Sequence, residues 1–307
     1  MANQIIKLSF KAPVHFGNGR LADSAFTCDS ATLFSALYIE ALRMGCADDF
    51  FQAVKAGDIL FSDAFPYIGD QLYIPKPMAF PKVAKRNFES GDSRERKANK
   101  KLKYIPFTLL SSYFAGSFDF IEEQNKFELG KQFLRTKVNL TRENSDDAEP
   151  FHVGAFAFNP GCGIYFIATG TFDVAPLFEQ LSYSGLGGKR SSGYGRFSVR
   201  FENSKAFDDV LVDSFNNSKG MLLSTSIPCE EELTESLLSN AKYHLERKGG
   251  FVQSTTHAST FRKKRDMWMF TPGSVFENSF KGDVFNVNAT PDAHAVYRYA
   301  RAMWMEV

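Results

Sequence analysis

Apolar residues along the first part of the chain follow two spacings, one typical of strands and one typical of helices. They alternate with polar residues over 4–11, which predicts a half-buried strand. Helical spacing over 33–42 follows a capping Asp29 or Ser30 and ends before Gly45, so we predict a helix there. Further elements are expected at 48–56 (helix), 72–74 (strand), 106–115 (helix), 151–158 with 163–169 (a hairpin), 174–182 (helix) and 196–201 (strand).

The second half repeats this order after a polar stretch over 203–219, which we interpret as a linker. A strand at 221–226 and a leucine-striped helix over 230–247 are expected. Both halves thus begin strand–helix–strand. This order predicts an α+β fold of two ferredoxin-like (RRM-like) domains in tandem, at 1–202 and 220–307. The second domain lacks an obvious second helix and would be an incomplete copy. Its later strands are expected at 251–255, 267–270, 283–287 and 295–306.

The composition of the 307 residues is that of a folded protein, with 44% hydrophobic and 23% charged residues. Disordered, collagen-like and coiled-coil classes are excluded for the chain as a whole. Four cysteines without a CxxC pair indicate neither a zinc site nor a disulfide framework. A signal-peptide pattern and a membrane-length apolar run are both absent from the sequence. We therefore expect a cytoplasmic protein that needs no metal, cofactor or membrane.

Charge is distributed unevenly, although the formal net charge is only +1. The segment 82–103 contains nine Lys or Arg against three Asp or Glu, a surplus of six positive charges. It has no apolar period, so we expect a basic insertion that protrudes as a mobile loop or a hairpin. Such a segment suits a polyanion, although charged runs are more often simply solvated. The basic run 262–265 is interpreted in the same way.

The most distinctive local motif is a glycine-rich loop over 185–195, which has five glycines, two cations and no acid. Glycines let backbone amides approach a phosphate closely, and Lys189 and Arg190 add positive charge. The loop matches neither the Walker A nor the dinucleotide-binding motif. It also follows a predicted helix and precedes a strand, the reverse of the order in those motifs. A surface turn is the alternative interpretation.

Five segments, taken in order, resemble the RAMP superfamily of CRISPR proteins. They are Lys-Ala-Pro-Val-His-Phe-Gly at 11–17, Cys-Asp-Ser-Ala-Thr-Leu-Phe-Ser-Ala-Leu at 28–37, the glycine-rich loop, Phe-Thr-Pro-Gly-Ser-Val-Phe at 270–276 and Val-Tyr-Arg-Tyr at 296–299. Their order most resembles one family of the Cas-five-like group, the fourth subunit of the type III-A Csm effector complex. The resemblance spans nearly the whole chain and implies two ferredoxin-like domains and a structural, non-catalytic role.

The resemblance also implies partners and a site. The subunit would hold the 5′ tag of the CRISPR RNA (crRNA) and contact the large Cas-ten subunit and the neighbouring Csm backbone subunit within a ribonucleoprotein. The insertion 82–103 would correspond to the thumb-like hairpin of the group. Carried over to this chain, the expected RNA-binding residues are His15, Gly17, Asn18, Arg20, Arg135, Lys137, Gly187, Gly188, Lys189, Arg190, Ser191, Ser192, Gly193, Thr255, Thr256, Arg262 and Lys263.

Three hypotheses for the function are left open. The first is the non-catalytic crRNA-binding subunit, acting in antiviral defence. The second is a metal-independent endoribonuclease that processes CRISPR RNA precursors with His15 as general acid or base, because a histidine beside RNA can promote 2′-hydroxyl attack on phosphate. A loop histidine that only forms hydrogen bonds is the more frequent case. The third is a protein–protein scaffold whose basic loops are solvated.

Overall fold

The structure is a computed structural model that describes residues 2–78, 93–139, 149–203, 205–252, 262–289 and 294–307. Within these residues the chain adopts a mixed α/β fold. The helices are α1 (Ser30–Met44), α2 (Ala47–Ala56), α3 (Ser93–Lys101), α4 (Leu110–Phe114), α5 (Phe120–Lys126), α6 (Ala175–Ser184), α7 (Lys205–Asp208) and α8 (Glu235–Leu238), with 3₁₀ helices at Phe107–Leu109, Arg190–Ser192 and Glu230–Glu232. The strands are β1 (Ala2–Phe10), β2 (Phe16–Asn18), β3 (Arg20–Ala25), β4 (Ile59–Phe61), β5 (Phe65–Ile68), β6 (Gln71–Pro75), β7 (Tyr104–Pro106), β8 (Gly130–Asn139), β9 (Glu149–Phe158), β10 (Cys162–Gly170), β11 (Phe197–Asn203), β12 (Leu211–Val212), β13 (Asn216–Leu222), β14 (Leu245–Lys248), β15 (Phe251–Val252), β16 (Arg262–Lys263), β17 (Met267–Phe270), β18 (Val275–Asn278), β19 (Val284–Asn286), β20 (Tyr297–Tyr299) and β21 (Trp304–Glu306).

A seven-stranded antiparallel sheet organises the first half of the chain. β1 pairs with β10 and β11, β10 pairs with β5 and β4, and β5 continues through β6 to β7. Strand β10 is buried along almost its whole length because both faces of the sheet are covered. Ile164 and Phe166 point into one hydrophobic core, whereas Tyr165 and Ile167 point into another. The sheet therefore separates two cores.

The first core forms where helices α1, α2 and α6 pack on the sheet. Helix α1 confirms the prediction at both ends. The Asp29 side chain accepts a hydrogen bond from the backbone N–H of Thr32, and Gly45 ends the helix at φ 75°. Leu33 and Leu37, from the predicted apolar stripe, are fully buried.

The second core, on the other face, contains residues from distant parts of the chain. Ile5 and Tyr165 of the sheet pack there with Met221 of β13 and Met305 of β21. All four side chains are at most 1% exposed. The first and second halves of the chain thus share one core layer.

The predicted hairpin between 151–158 and 163–169 is wrong, although both segments are strands. Strand β9 pairs with β8 in a separate two-stranded sheet, while β10 enters the central sheet. The expected turn does form, since the N–H of Cys162 donates to the carbonyl of Asn159 at 3.0 Å. Sequence patterning did not indicate β8, because most of its residues are polar and exposed.

The predicted helix over 230–247 is also wrong. Glu230–Glu232 forms one 3₁₀ turn, Thr234 caps the one-turn helix α8, and the chain then extends into β14, which pairs with β17. Leu237 is buried, but Leu233 of the same predicted stripe is 55% exposed. Pairing with a distant strand thus overrides a local helical pattern. The main sheet of this half has the order β12-β21-β13-β18.

Two polar segments contain more regular structure than their composition indicates. The described part of the insertion, 93–103, does not protrude. It forms α3 and packs against α5, with Ala98 and Leu102 buried. The stretch 203–219 contains α7, β12 and the start of β13, and Phe207 is fully buried in the second core. The domain boundary at this stretch stays a prediction.

Candidate nucleic-acid interface

A cleft of about 1960 Å³ runs between the first half of the chain and the second. Its walls come from the loop after β1, the N-terminal end of α1, the glycine-rich loop and, opposite them, β14 with its neighbours. Helix α3 contributes further cations to the rim. The lining cations are Lys76, Arg96, Lys100, Lys103, Arg190, Lys248, Lys264 and Arg298. Four carboxylates, those of Asp29, Asp63, Glu95 and Glu246, also line the cleft, so eight cations face four acids. The remaining surplus of positive charge attracts anions.

The glycine-rich loop lies directly against the loop that carries His15. The N–H of Gly188 donates to the carbonyl of His15 at 2.8 Å, and the N–H of Gly195 donates to that of Pro13 at 2.9 Å. A Cβ atom on Gly187 would stand 2.9 Å from the His15 carbonyl oxygen, and one on Gly188 would stand 2.8 Å from the ring carbon Cδ2 of His15. Glycine is therefore required here for close approach of the two loops.

The imidazole of His15 is held by strand β9. Its Nδ1 lies 2.7 Å from the carbonyl oxygen of Gly154, so Nδ1 carries the proton and donates it. Gly154 is itself crossed by β3, since a Cβ atom there would stand 2.2 Å from the carbonyl oxygen of Ala22. The side chain is 7% exposed. His15 thus joins β9 to the glycine-rich loop.

Cations of the loop and of β8 interleave with aromatic rings. The Lys189 ammonium lies 5.5 Å from the ring centre of Phe151, and the Lys137 ammonium lies 5.1 Å from that of Tyr194. Lys137 and Phe151 are direct partners in the β8–β9 ladder. Lys189 has φ 59°, which an L-residue adopts at a cost. The contacts with Tyr194 and Phe151 orient two of the predicted phosphate-binding side chains, those of Lys137 and Lys189.

The structure brings only part of the predicted site together. His15, Gly17, Asn18, Gly187, Gly188 and Arg190 line the cleft. Lys189, Ser191, Ser192 and Gly193 continue the loop beyond it, Arg20 lies exposed on β3, and Arg135 and Lys137 lie on β8. Arg262 and Lys263 form β16, away from the cleft lining. Thr255 and Thr256 lie outside the described residues.

The sequence analysis missed an ionic and hydrogen-bonded junction at the base of the cleft. The Lys248 ammonium lies 3.2 Å from Asp29 and 2.9 Å from Glu246. Beside it, one oxygen of Asp63 accepts from the backbone N–H of Ser30 at 2.9 Å and of Thr225 at 2.7 Å, and the other accepts from the Thr225 hydroxyl at 2.6 Å. This junction ties α1 to the second half of the chain.

Burial and neighbouring groups shift the pKa values of the two aspartates of the junction in opposite directions. Burial would raise the pKa of Asp29, but Lys248 and the Thr32 donors lower it below its ordinary value. Burial and the nearby Asp29 raise the pKa of Asp63 to about 6, against the donors from Thr225 and Ser30. The more exposed Asp29 and Lys248 form the ion pair, whereas the charge of Asp63 is stabilised mainly by its hydrogen bonds.

The far wall of the cleft carries two partly desolvated cations. Burial, and then the charge of Arg298, lower the pKa of Lys264. The Arg298 guanidinium donates to the backbone carbonyls of Lys248 and Gly249. Lys264 lies in the basic run 262–265 and Arg298 in the segment 296–299, but neither was named as an RNA-binding residue, because their approach depends on the pairing of distant segments.

None of the helices in the described ranges combines the length and the apolar character that crossing a membrane requires. Across the same ranges, no three His, Cys, Asp or Glu side chains come together as they would around a metal ion.

Comparison with known proteins identifies the family. Residues 216–307 match the family model of the CRISPR Csm4 C-terminal domain. The chain is 32% identical to the CRISPR system Cms protein Csm4 of Mycobacterium tuberculosis, over 99% of this chain and 98% of that protein. It is 30% identical to the Csm4 of Streptococcus thermophilus, over 95% of both.

Solved structures share the fold. A chain of the Csm3–Csm4 subcomplex from a type III-A CRISPR-Cas interference complex superimposes with a TM-score of 0.62 at 17% identity, covering 100% of this chain and 99% of that one. A chain of a Csm1–Csm4 cassette in complex with AMPPNP gives 0.61 at 19% identity, covering 100% and 98%. These likenesses and the full-length relatives confirm the resemblance seen in the sequence: the chain belongs to the Csm4 family of type III CRISPR proteins.

Proposed function

We propose that this chain is a non-catalytic, crRNA-binding structural subunit of a type III-A Csm interference complex, and that its cleft holds the 5′ tag. The observation that carries the proposal is the contact between the His15 loop and the glycine-rich loop in one basic cleft. Cations at such a surface bind phosphates without requiring a particular base. Backbone amides of the loop can do the same where they do not already donate within the chain, as those of Gly188, Ser192 and Gly193 do.

Related solved structures support the proposed partners. One contains Csm1 with Csm4 and another contains Csm3 with Csm4. We infer the same two neighbours for this chain, with Csm1 as the large subunit and Csm3 as the backbone subunit. The place of action would be the cytoplasm.

We also propose a ferredoxin-like arrangement for the first half. In chain order, β1, α1, β5, β10, α6 and β11 follow the βαββαβ plan, and their strands are antiparallel neighbours in the order β11-β1-β10-β5. The second half has one short helix, α8, beside its four-stranded sheet among the residues described. A complete second copy is therefore less well supported.

The endoribonuclease alternative depends on His15. One ring nitrogen is committed to Gly154, which favours a structural role for this side chain. Incubation of the purified chain with precursor RNA in the presence of a chelator tests the alternative. Cleavage by the unaltered protein that His15→Ala abolishes would establish it and would overturn the non-catalytic proposal.

Charge reversal in the loop tests RNA binding. Arg190→Glu is expected to reduce crRNA retention by the assembled complex and to weaken its dependence on salt, because a phosphate contact is replaced by repulsion. Lys55→Glu on α2, at an exposed lysine that is not among the residues lining the cleft, is the matched control. Crosslinking of the 5′ tag should label peptides spanning 11–20 and 185–196. Equal RNA retention in both variants, with no crosslinks to this chain, would favour the protein scaffold instead.

A further inference from the structure

The second half of the chain presents a surface that faces away from the cleft. Strand β14 pairs with β17, and β15 pairs with β16, so the two segments run side by side as an antiparallel ribbon. Along the first segment, His244, Glu246 and Lys248 line the cleft. Side chains alternate along a strand, so the intervening residues point to the opposite side. We call that side the outer strip, formed by Tyr243, Leu245, Arg247, Lys263 and Trp268.

The outer strip exposes large apolar and aromatic side chains. Trp268 is 58% exposed, Tyr243 41% and Leu245 38%. The Tyr243 ring packs edge-on against the Phe270 ring, with 4.9 Å between the ring centres, and this contact holds it in place. More than half of Trp268 is exposed, so its indole is accessible to a partner. Single exposed apolar residues are ordinary, but three along one narrow ribbon indicate an interaction surface.

Exposed cations flank these rings. Arg247 is the direct partner of Trp268 in the strand ladder, and its side chain is 63% exposed. Lys263 lies further along the ribbon and is 64% exposed. The carboxylate of Asp266 lies between them, 3.2 Å from the Lys263 ammonium and 3.8 Å from the Arg247 guanidinium. It holds both cations in place and leaves the strip with a net positive charge.

The shape of the strip decides what kind of partner fits. A two-stranded ribbon is about 10 Å wide, and the segment 243–251 spans roughly 25 Å along the strand direction. The resulting area, roughly 250 Å², is far below the roughly 800 Å² per partner of a standard protein interface. Exposed aromatic rings interleaved with cations along a narrow track are typical of surfaces that bind a single nucleic-acid strand.

We propose that the outer strip is a second nucleic-acid site, which binds a single strand by stacking a base on Trp268 and contacting phosphates through Arg247 and Lys263. It is separate from the cleft, because alternate residues of the same strand serve the two surfaces. Its ligand is therefore a strand, or a part of a strand, other than the one in the cleft.

The two tryptophans of the chain make this site measurable. Trp268 is exposed, whereas Trp304 is 2% exposed and donates its indole N–H to the carbonyl of Phe280. The full chain is titrated at low salt with a short single-stranded polyuridylate, and tryptophan fluorescence and its quenching by iodide are recorded. We expect the RNA to quench the emission and to protect it from iodide. Trp268→Phe should abolish both changes, while Trp304→Phe should keep them.

Further variants separate the strip from the cleft. Trp268→Ala should weaken binding at this site roughly tenfold, the loss of one stacked base. Because this variant lacks the reporter tryptophan, its binding is measured by the anisotropy of a labelled polyuridylate in the Arg190→Glu background. Lys263→Glu should also weaken it, whereas Lys55→Glu is the matched control and should not. Arg190→Glu should leave the Trp268 signal intact even where it reduces binding in the cleft. Circular dichroism verifies that each variant is folded.

Three results would overturn the proposal: no fluorescence change with RNA, a change that persists in Trp268→Phe, or a change that disappears in Arg190→Glu. The last would mean that RNA in the cleft alters Trp268 indirectly. Failure of cleft binding with an intact Trp268 signal would count against the proposed function and not against the outer strip.

Discussion

Asp63 offers the sharpest test of how the two halves of the chain are joined. Its carboxylate lies between β4 and β5, accepts three hydrogen bonds and stands near the charge of Asp29. Donors favour the ionised form, while burial and a second carboxylate oppose it. Because the opposing effects prevail, the pKa of Asp63 rises from its ordinary 3.8 to about 6. The native state therefore binds this proton more tightly than the unfolded state does.

The sign and size of the effect on stability follow from linkage. Between about pH 4 and pH 6 the native protein holds a proton at Asp63 that the unfolded chain has lost, so the free energy of unfolding falls as the pH rises. A difference of about 2 in pKa corresponds to about 3 kcal/mol. Asp63→Asn keeps the shape of the side chain and carries no charge at any pH. The free energy of unfolding of the variant should therefore not fall through this effect as the pH rises.

The assay is urea unfolding of both proteins from pH 4 to pH 7. The free energy of unfolding of Asp63→Asn minus that of the unaltered chain should increase by about 3 kcal/mol over this range, and taking the difference removes the contribution of other carboxylates. Asp70→Asn, at an exposed aspartate in the turn between β5 and β6, is the matched control for replacing a carboxylate by an amide. A difference that falls with pH would refute the reasoning, since it would mean that the three donors outweigh burial.

The remaining predictions concern the glycine-rich loop and the ion pair. Gly188→Ala places a Cβ atom 2.8 Å from the His15 ring, so it should lower the free energy of unfolding by about 1–3 kcal/mol and shift the imidazole resonances of His15. Gly193→Ala has open space but φ +85°, so it should cost only about 1–2 kcal/mol and leave His15 unchanged; equal imidazole shifts would contradict the steric argument. Lys248→Ala leaves Asp29 without its cation and should destabilise the fold by about 2 kcal/mol, less than the roughly 3–5 kcal/mol of a fully buried pair. Thermal unfolding measures this loss, and a double variant with Asp29→Asn that recovers none of it would show that the ion pair contributes nothing.

Local signals were sufficient where an element is specified by its own sequence. Helix α1 has an N-cap, an apolar stripe and a terminal glycine within one segment, and all three were predicted from the sequence. The glycine-rich loop was likewise selected from composition alone. The structure adds the reason for two of its glycines, which is their contact with His15.

Prediction failed where distant strands compete with local periodicity. The leucine spacing over 230–247 suits a helix, yet Leu245 and Arg247 also alternate as a strand requires, and pairing with β17 favours the strand. Strand β8 is specified by its partner β9 and not by its own exposed residues. The pair between Asp29 and Lys248 could not be found for the same reason, since it depends on which segments meet.

The shared second core has a consequence for synthesis of the protein. Ile5 leaves the ribosome early, but its packing partners Met221 and Met305 are made only when most of the chain has been translated. This core layer cannot form while only the first half of the chain has left the ribosome. Until then the apolar face of β1 and β10 stays exposed to solvent. This core layer can therefore form only after Met305 has left the ribosome, and holdase chaperones should bind the nascent chain until then.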